Sequence, residues 1–294
     1  MAGGIDKLEL LTKCVRKRFR VLARKKGSWR KGYLHVIDLR NTHHKLPVIL
    51  HCDGCYNGIH KIEFVGVARL GLQQTQNILK MIVYRVSAVR IYRIDVCTDL
   101  LGIWVWDLAE RVLVSRAQNY QIINNRGGTS FYLQKSVHKT ILLYDKIKQY
   151  AAVRDPMVKL FRPSDHLTRI EVQLKGHGVP FRRIDDLHRY LEVDFLEQMQ
   201  FRDLRALQDD AKPLHRLAVP QLRRRIETFG LHPTKKSFSP SQWAYLEKTL
   251  FRTLKGKEIP DLQFRLKRSI EDWLENRIRF PRFQDFRREE NEVE

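Results

Sequence analysis

A tyrosine and a lysine two positions apart have the types and spacing of a reactive pair. They lie in His138–Lys146, a β-prone apolar run that ends in Tyr-Asp-Lys. Because side chains alternate along a strand, Leu142, Tyr144 and Lys146 would share one face. An ammonium group beside a phenol favours phenolate and can neutralise a phosphate, so the pair indicates a nucleophile for phosphoryl transfer. A tyrosine near a sheet edge beside a solvated lysine would give the same pattern.

Two further segments, Val89–Leu100 and His166–Lys175, carry acids with the same strand-like alternation. The residues predicted to share one face are Asp95, Cys97 and Asp99 in the first segment, and Arg169, Glu171 and Gln173 in the second. Acids within apolar strands are costly to bury unless they are paired or bind a metal. Carboxylate oxygens suit Mg²⁺ or Mn²⁺, the usual ions of phosphoryl chemistry. Three such strands therefore predict a metal-dependent phosphotransfer site.

The order of these motifs resembles the replication initiation factor family. The resemblance rests on Arg93–Asp99, Ser130–Ser136, Leu143–Lys146 and Arg169–Leu174, within about Lys61–Lys175. That family holds rolling-circle plasmid initiators of the Rep_trans type, filamentous-phage initiators and relaxases of some integrative elements. This sequence departs from its pattern in the loop before the tyrosine strand, where Gln-Lys-Ser replaces a glycine-containing motif.

The resemblance implies a DNA nicking enzyme. Tyr144 would attack a phosphodiester and form a 5′-phosphotyrosine link, while Asp95 and Glu171, with Asp99 close by, would hold Mg²⁺ or Mn²⁺. Lys146 or Arg169 would offset developing charge. A plasmid, phage or integrative element in a bacterial host would encode such a protein, with a host helicase and a second copy of the chain as candidate partners.

Composition favours a folded protein that binds a polyanion. The chain has 294 residues, 43% of them hydrophobic, and a formal net charge of +22. A folded chain this basic most often meets nucleic acid, with a membrane surface or an acidic protein as the lesser alternative. Four cysteines do not form a disulfide framework at this length, and neither a membrane-spanning run nor a signal-peptide pattern is evident. We therefore expect a cytoplasmic location.

Basic residues concentrate towards both ends of the chain, where we expect contacts with the DNA backbone. The predicted contacts are Arg16, Arg18, Arg20, Arg24, Lys25, Lys135, Arg223, Arg224, Arg225, Lys235, Lys236, Arg265, Lys267 and Arg268. The first five belong to a predicted amphipathic helix over Ile5–Lys26. The helices around Gly230 also suggest a helix-turn-helix-like reader.

The hydrophobic pattern predicts an α+β protein with a mixed, mainly antiparallel sheet. We expect a basic N-terminal helix over residues 1–32, an α+β catalytic domain over 33–178 and a helical C-terminal region over 179–294. The helices predicted in the last region are Ile184–Gln200, Val219–Gly230, Ser239–Leu254 and Asp261–Phe280. The period-two runs stop at the junction Gly176–Pro180.

A weaker pattern surrounds Asp53-Gly54, a dipeptide typical of hairpin turns. A zinc site is the alternative, because suitable ligands lie nearby at Cys52, Cys55, His51 and His60. A lone Cys-x-x-Cys is weak evidence, so the turn interpretation is favoured.

Two other function classes remain beside a nicking enzyme. The main alternative is a non-catalytic nucleic-acid-binding protein on the same scaffold, although binding phosphate does not call for three acids among so many bases. A tyrosine recombinase is less favoured, because its site needs clustered arginine and histidine on helices.

Overall fold

The protein is described here from a computed structural model of residues 3–30, 32–54, 58–114, 121–125, 128–197, 199–207, 218–229, 231–255 and 260–277. Its strands are β1 Gly3–Thr12, β2 Ser28–Arg30, β3 Tyr33–Asp38, β4 Val48–Gly54, β5 His60–Phe64, β6 Arg90–Leu101, β7 Val112–Val114, β8 Gln121–Asn125, β9 Gly128–Lys135, β10 Lys139–Asp145, β11 Leu167–Lys175, β12 Met199–Leu207 and β13 Phe251–Lys255. Its α-helices are α1 Lys17–Lys26, α2 Gly71–Ile82, α3 Val105–Arg111, α4 Lys146–Ala152, α5 Ala218–Phe229, α6 Leu231–Lys236, α7 Pro240–Leu250 and α8 Pro260–Leu274.

The architecture is α+β, as predicted. Within the described ranges, ten strands form one sheet in the order β2-β3-β4-β5-β1-β6-β11-β10-β9-β8, and all of its ladders are antiparallel. One face of its centre is apolar: Ile94, Val96 and Ile170 are fully buried there. Helix α8 packs against β1 and β6 and also contacts α2. The opposite face carries the polar side chains.

Strand β1 lies at the centre of the sheet, so the predicted helix over Ile5–Lys26 is wrong in its first half. Opposite β6, Ile5 pairs with Val96 but Lys7 pairs with Asp95, which leaves Asp6 as an extra residue. This β-bulge turns Ile5 and Leu8 to the same side and breaks the period-two pattern. The resulting three-residue spacing imitates a helix. The remaining part is helical as α1, and β1 pairs with β5 and β6 within the central sheet.

The C-terminal region is less helical than predicted. Ile184–Glu192 is a 3₁₀ helix, and β12 and β13 occupy parts of the predicted helices Ile184–Gln200 and Ser239–Leu254. These two strands and β7 form a separate small sheet in the order β13-β12-β7, which does not extend the central one. The helices predicted over Val219–Gly230 and Asp261–Phe280 are confirmed over most of their length by α5 and α8.

Helix α8 closes the core rather than forming part of an independent domain. The indole Nε1 of Trp273 donates a hydrogen bond to the carbonyl of Val67 at 2.9 Å, and both residues are buried. The Ser269 hydroxyl donates to that of Thr98 on β6 at 3.4 Å. The predicted boundary near residue 178 is therefore not a boundary of packing.

The Asp53-Gly54 dipeptide is not a two-residue turn. Both residues belong to β4, and Gly54 pairs with Tyr33 on the neighbouring strand. Cys55 lies outside the described residues. Burial raises the pKa of the Cys52 thiol to about 12, and the His60 Nδ1 accepts a hydrogen bond from the Asp53 amide. Neither residue is thereby prepared as a zinc ligand.

Candidate active site

Strands β6, β11 and β10 lie side by side, and their register brings the predicted site residues onto one face. Glu171 lies opposite Cys97 on one side and opposite Leu142 on the other. Arg169 lies between Asp99 and Tyr144 in the same way. The alternation read from each strand therefore continues across all three, and Tyr144, Glu171, Asp95 and Asp99 share this face.

Tyr144 is held by Glu171. The phenol Oη donates a hydrogen bond to Glu171 Oε2 at 3.0 Å, and Tyr144 is only 6% exposed. Gln173 Nε2 donates to the other carboxylate oxygen, Oε1, at 2.7 Å. Burial raises the pKa of Tyr144 well above its usual value, although Arg169 opposes this shift. Burial therefore outweighs the nearby cation, which the sequence analysis expected to favour phenolate.

Arg169 joins two acids. Its Nε and Nη2 donate to the carboxylate of Asp99 at 2.5 and 2.8 Å, and its Nη1 donates to Asp6 Oδ1 at 3.0 Å. Asp6 reaches it from the bulge in β1, which the sequence analysis missed because a bulge depends on how two strands pair. All three guanidinium nitrogens are engaged, so Arg169 orders the site in this arrangement.

Asp95 is buried beside Arg93, a residue that was not among the predicted site residues. Arg93 Nε and Nη2 donate to the two Asp95 oxygens at 2.8 and 2.6 Å. Burial raises the pKa of Asp95 to about 7, and repulsion from Glu171 adds to the shift, whereas Arg93 opposes it. The charge of Glu171 is thus close enough to disfavour ionisation of Asp95, which a shared cation would relieve.

The three predicted metal ligands do not form one group. In the described part of the chain, no cluster of three or more histidine, cysteine or acidic side chains is arranged to hold a metal ion. Asp99 is engaged by Arg169, whereas Asp95 and Glu171 occupy diagonal positions across the β6–β11 ladder. Mg²⁺ commonly uses one or two carboxylates together with substrate phosphate oxygens. Asp95 and Glu171 would supply such a pair once Arg93 releases the two Asp95 oxygens, which it occupies as Arg169 occupies those of Asp99.

Lys146 is the first residue of α4 and not the last residue of the strand. Its Nζ lies 5.6 Å from the ring centroid of Tyr144 and 4.9 Å from that of Tyr150, and it donates to Gln149 Oε1 at 2.6 Å. Burial lowers the pKa of Lys146, as does the charge of Arg169, while Asp6 and Asp99 oppose the shift. The predicted Tyr144–Lys146 proximity is present, but it arises from a strand-to-helix corner.

Two other tyrosines lie near Tyr144. Tyr132 on β9 pairs with Leu142 and so projects from the same face of the sheet. Tyr150 on α4 stacks on Phe161 with ring centroids 6.4 Å apart, and burial raises its pKa to about 12. Of the three, Tyr144 is the one whose hydroxyl donates to Glu171.

The predicted DNA-contacting residues differ in how free they are to meet DNA. Arg16 and Arg18 donate to backbone carbonyls at the end of α2, Arg24 is paired with Asp53, and Arg268 is paired with Glu271. Exposed members are Lys25, Arg224, Arg225 and Lys236, and partly buried ones are Arg20, Lys235, Arg265 and Lys267. The side chains of Lys135 and Arg223 lie outside the described residues.

The helices of the described ranges include none long and apolar enough to cross a membrane.

Comparison with known proteins finds loose likeness among solved structures. No family model matches the sequence, and no curated protein matches it. Among solved structures, a rolling circle replication initiator protein from Geobacillus stearothermophilus is similar, with a TM-score of 0.41 and 18% sequence identity over 71% of this chain and 89% of that one. An overlap this loose is no evidence of a shared site, so any activity has to be inferred from the side chains of this protein.

Proposed function

We propose that this protein nicks one strand of DNA through Tyr144 and keeps the cut strand covalently bound, as a rolling-circle replication initiator or a relaxase does. The hydrogen bond from Tyr144 to Glu171 is the observation that carries the proposal. It joins a nucleophile to a base inside a buried row of acids and bases. Nucleophile and base within hydrogen-bonding reach are the signature of covalent catalysis.

In the proposed reaction, the phenol loses its proton as it attacks the phosphorus. Because burial raises the pKa of Tyr144, the hydroxyl reacts only if its proton leaves as the new bond forms. Glu171 Oε2 takes that proton while Tyr144 Oη attacks phosphorus and the bond from phosphorus to the 3′ oxygen breaks. The products are a 5′-phosphotyrosine link and a strand with a free 3′ hydroxyl.

The departing 3′ oxygen also needs a proton. Lys146 lies against the ring of Tyr144, and its pKa is lowered by burial and by Arg169, which makes its ammonium group a readier acid. We assign Lys146 this role. Because the phosphotyrosine conserves the energy of the phosphodiester, a later 3′ hydroxyl can reverse the step and close the strand.

Asp95 and Glu171 would hold a divalent cation together with the DNA phosphate. Mg²⁺ or Mn²⁺ there would polarise a non-bridging phosphate oxygen. Gln173 contacts Glu171 Oε1 and orients the carboxylate so that Oε2 faces the phenol. Arg169, which lies opposite Tyr144 on the neighbouring strand, holds Asp99 and Asp6 through hydrogen bonds.

DNA is the expected substrate because of the charge of +22. A single or extruded strand is required, since a phenol this buried in a sheet face cannot reach the backbone of an intact duplex. A host helicase and a second copy of the chain are partners that such a reaction would use, on a plasmid, phage or integrative element.

A non-catalytic nucleic-acid-binding protein is the second candidate. It is favoured by one observation: Tyr144, Asp95, Asp99 and Glu171 all have intramolecular partners that satisfy them. Such a protein would bind DNA through its basic residues and leave it uncut.

The test is covalent capture. The full chain is incubated with a random library of labelled single-stranded DNA and Mg²⁺, and the adduct is detected on a denaturing gel. Mass spectrometry then locates the modified residue. We expect Tyr144→Phe to lose the adduct while retaining thermal stability and DNA binding, and Tyr132→Phe and Tyr150→Phe to keep it. An adduct that persists in Tyr144→Phe would refute the assignment. DNA binding without any adduct in the wild type would support the second candidate.

A further inference from the structure

A groove of about 750 Å³ lies on the polar face of the central sheet, beside the site just described. It runs across β3, β4, β5, β1 and β6. Two acids, Glu9 and Glu63, lie in it together with His51, and two tyrosines, Tyr33 and Tyr92, line it. We call it the tyrosine-lined groove. None of these five residues takes part in the proposed nicking reaction.

A second β-bulge places Tyr92 in the groove. Glu9 pairs with Arg93, but Leu10 pairs with Ile91, so Tyr92 is an extra residue in β6. Consecutive residues of a regular strand point to opposite faces, yet both Tyr92 and Arg93 line this groove. A bulge re-aims a side chain in this way, often next to a functional site. Arg93 in turn contacts Asp95, so the groove and the Tyr144 site are contiguous.

The acids of the groove are neutralised and held in place. Lys7 Nζ lies 3.2 Å from Glu9 and 3.0 Å from Glu63, and Lys61 Nζ lies 3.4 Å from each of them. Two ammonium groups therefore balance two carboxylates, and Glu9 is buried. Such a surface offers hydrogen-bond acceptors without net charge, which suits a neutral polar ring better than a phosphate.

His51 and Glu63 form a buried pair in the groove. His51 is only 7% exposed, and its Nε2 lies 3.4 Å from Glu63 Oε2. This contact is the largest cause of the lowered pKa of Glu63, so the carboxylate is held in its ionised, accepting form. Both ring nitrogens of His51 are closed to solvent, so the imidazole orients Glu63 and does not meet a ligand itself. The Tyr33 ring packs edge-on against this imidazole, with centroids 5.2 Å apart.

We propose that the tyrosine-lined groove binds one unstacked base of the DNA strand and selects bases that carry an exocyclic amino group. The inference rests on the proposed function, because it takes single-stranded DNA as the substrate. The base stacks on Tyr92 or Tyr33, and its amino group donates to Glu63 or Glu9. Thymine, which lacks an amino group, is disfavoured.

Position and charge around the groove agree with this occupant. Lys175 is exposed with its Nζ 5.6 Å from the Tyr92 ring centroid, where it can meet the phosphate of the bound nucleotide. Strand β1 lies three strand spacings from β10, roughly 14 Å across the sheet. The selected base is therefore a few nucleotides from the phosphate that Tyr144 attacks, which makes the groove a determinant of the nick site.

The experiment compares two pyrimidines, which differ in the amino group. Binding of short oligodeoxycytidine and oligothymidine to full-length Tyr144→Phe is measured by fluorescence anisotropy. We expect cytosine to bind on the order of tenfold more tightly. In the same background, Glu63→Leu, which leaves no acceptor at that position, removes most of that preference. Tyr92→Ala weakens binding of both oligonucleotides roughly tenfold, whereas Tyr92→Phe does not. Glu192→Gln, which changes an exposed acid elsewhere, leaves both affinities unchanged.

Three results would overturn the inference: equal affinity for the two oligonucleotides, no binding of either, or a preference that survives Glu63→Leu. Thermal melting checks each variant, and Glu9→Leu replaces Glu63→Leu if the latter unfolds. These outcomes are separable from those of the nicking proposal. An adduct in the wild type without base preference would remove the groove proposal alone, and base preference without an adduct would remove the nicking proposal alone.

Discussion

Tyr144 and Glu171 lie on neighbouring strands one diagonal apart, and the phenol of the first donates to the carboxylate of the second at 3.0 Å. Glu171 pairs with Leu142, two residues before the tyrosine, so the contact follows from the register alone. A one-residue slip would turn either side chain to the apolar face. The contact between Tyr144 and Glu171 is therefore determined by the pairing of β10 with β11.

Glu171→Gln tests whether this carboxylate is a base. The amide still accepts a hydrogen bond from Tyr144 but cannot take its proton. We expect adduct formation to slow by about 10²- to 10⁴-fold while DNA affinity is retained. Single-turnover rates against pH would show whether the step that depends on a basic group has disappeared from the profile. A variant that nicks at the wild-type rate would mean that another group accepts the proton.

The buried Arg169–Asp99 pair should be required for stability. Arg169→Met leaves Asp99 buried without its partner, and we expect the free energy of unfolding to fall by about 3–5 kcal/mol. The double variant Arg169→Met, Asp99→Leu removes both charges and should recover much of the loss. Urea denaturation of the two variants measures this coupling. A loss below about 1 kcal/mol in the single variant would show that the pair is screened by water.

The shared face of Asp95, Tyr144 and Glu171 could be predicted because alternation along a strand is a local property. Each acid or phenol sits among apolar neighbours, and the period of two assigns its face without knowledge of the fold. That the three strands are adjacent is a property of the sheet order and could not be predicted from any one strand.

What the sequence did not show depends on pairing between distant strands. Asp6 and Tyr92 are bulge residues, and a bulge exists only relative to a partner strand. The same bulge at Asp6 produced the helical spacing that hid β1. Arg93 was not predicted as a site residue, because its sequence position does not show that it binds Asp95 or that it lines the groove. The packing of α8 on the central sheet is likewise a long-range contact that no local pattern encodes.

His60 should make the protein less stable in mild acid. Burial lowers its pKa from the usual 6.5, so below that value the unfolded chain binds a proton more readily than the folded chain. This contribution to stability is present above pH 6.5 and is lost as the pH falls through the lowered pKa. The drop in Tm between about pH 7.5 and about pH 5.5 should be smaller in His60→Gln than in the wild type. His43→Gln, at an exposed position, is the control and should follow the wild-type curve.

Binding to DNA should weaken steeply with salt, because phosphate contacts release counterions. From about 50 to about 200 mM salt we expect the affinity of Tyr144→Phe for single-stranded DNA to fall tenfold or more. Removing the exposed Arg224 should lower the slope of log affinity against log salt by about one half to one. Arg40→Ala is the control, because Arg40 is already bound to Asp38. A flat salt dependence would contradict the polyanion interpretation.

Trp273 should hold the C-terminal helix in the core. Its indole is buried and donates to the Val67 carbonyl, so Trp273→Ala leaves a cavity and an unsatisfied carbonyl. We expect a loss of about 3–5 kcal/mol in the free energy of unfolding. Phe264→Ala is a matched control, since that aromatic lies on the same helix but is 63% exposed, and it should change stability by less than about 0.5 kcal/mol. Trp273→Phe retains much of the packing but loses the hydrogen bond, so its stability loss should lie between those of Trp273→Ala and Phe264→Ala. Equal, small effects of Trp273→Ala and Phe264→Ala in urea denaturation would mean that α8 does not belong to the cooperative core, and that the division near residue 178 is a division of stability after all.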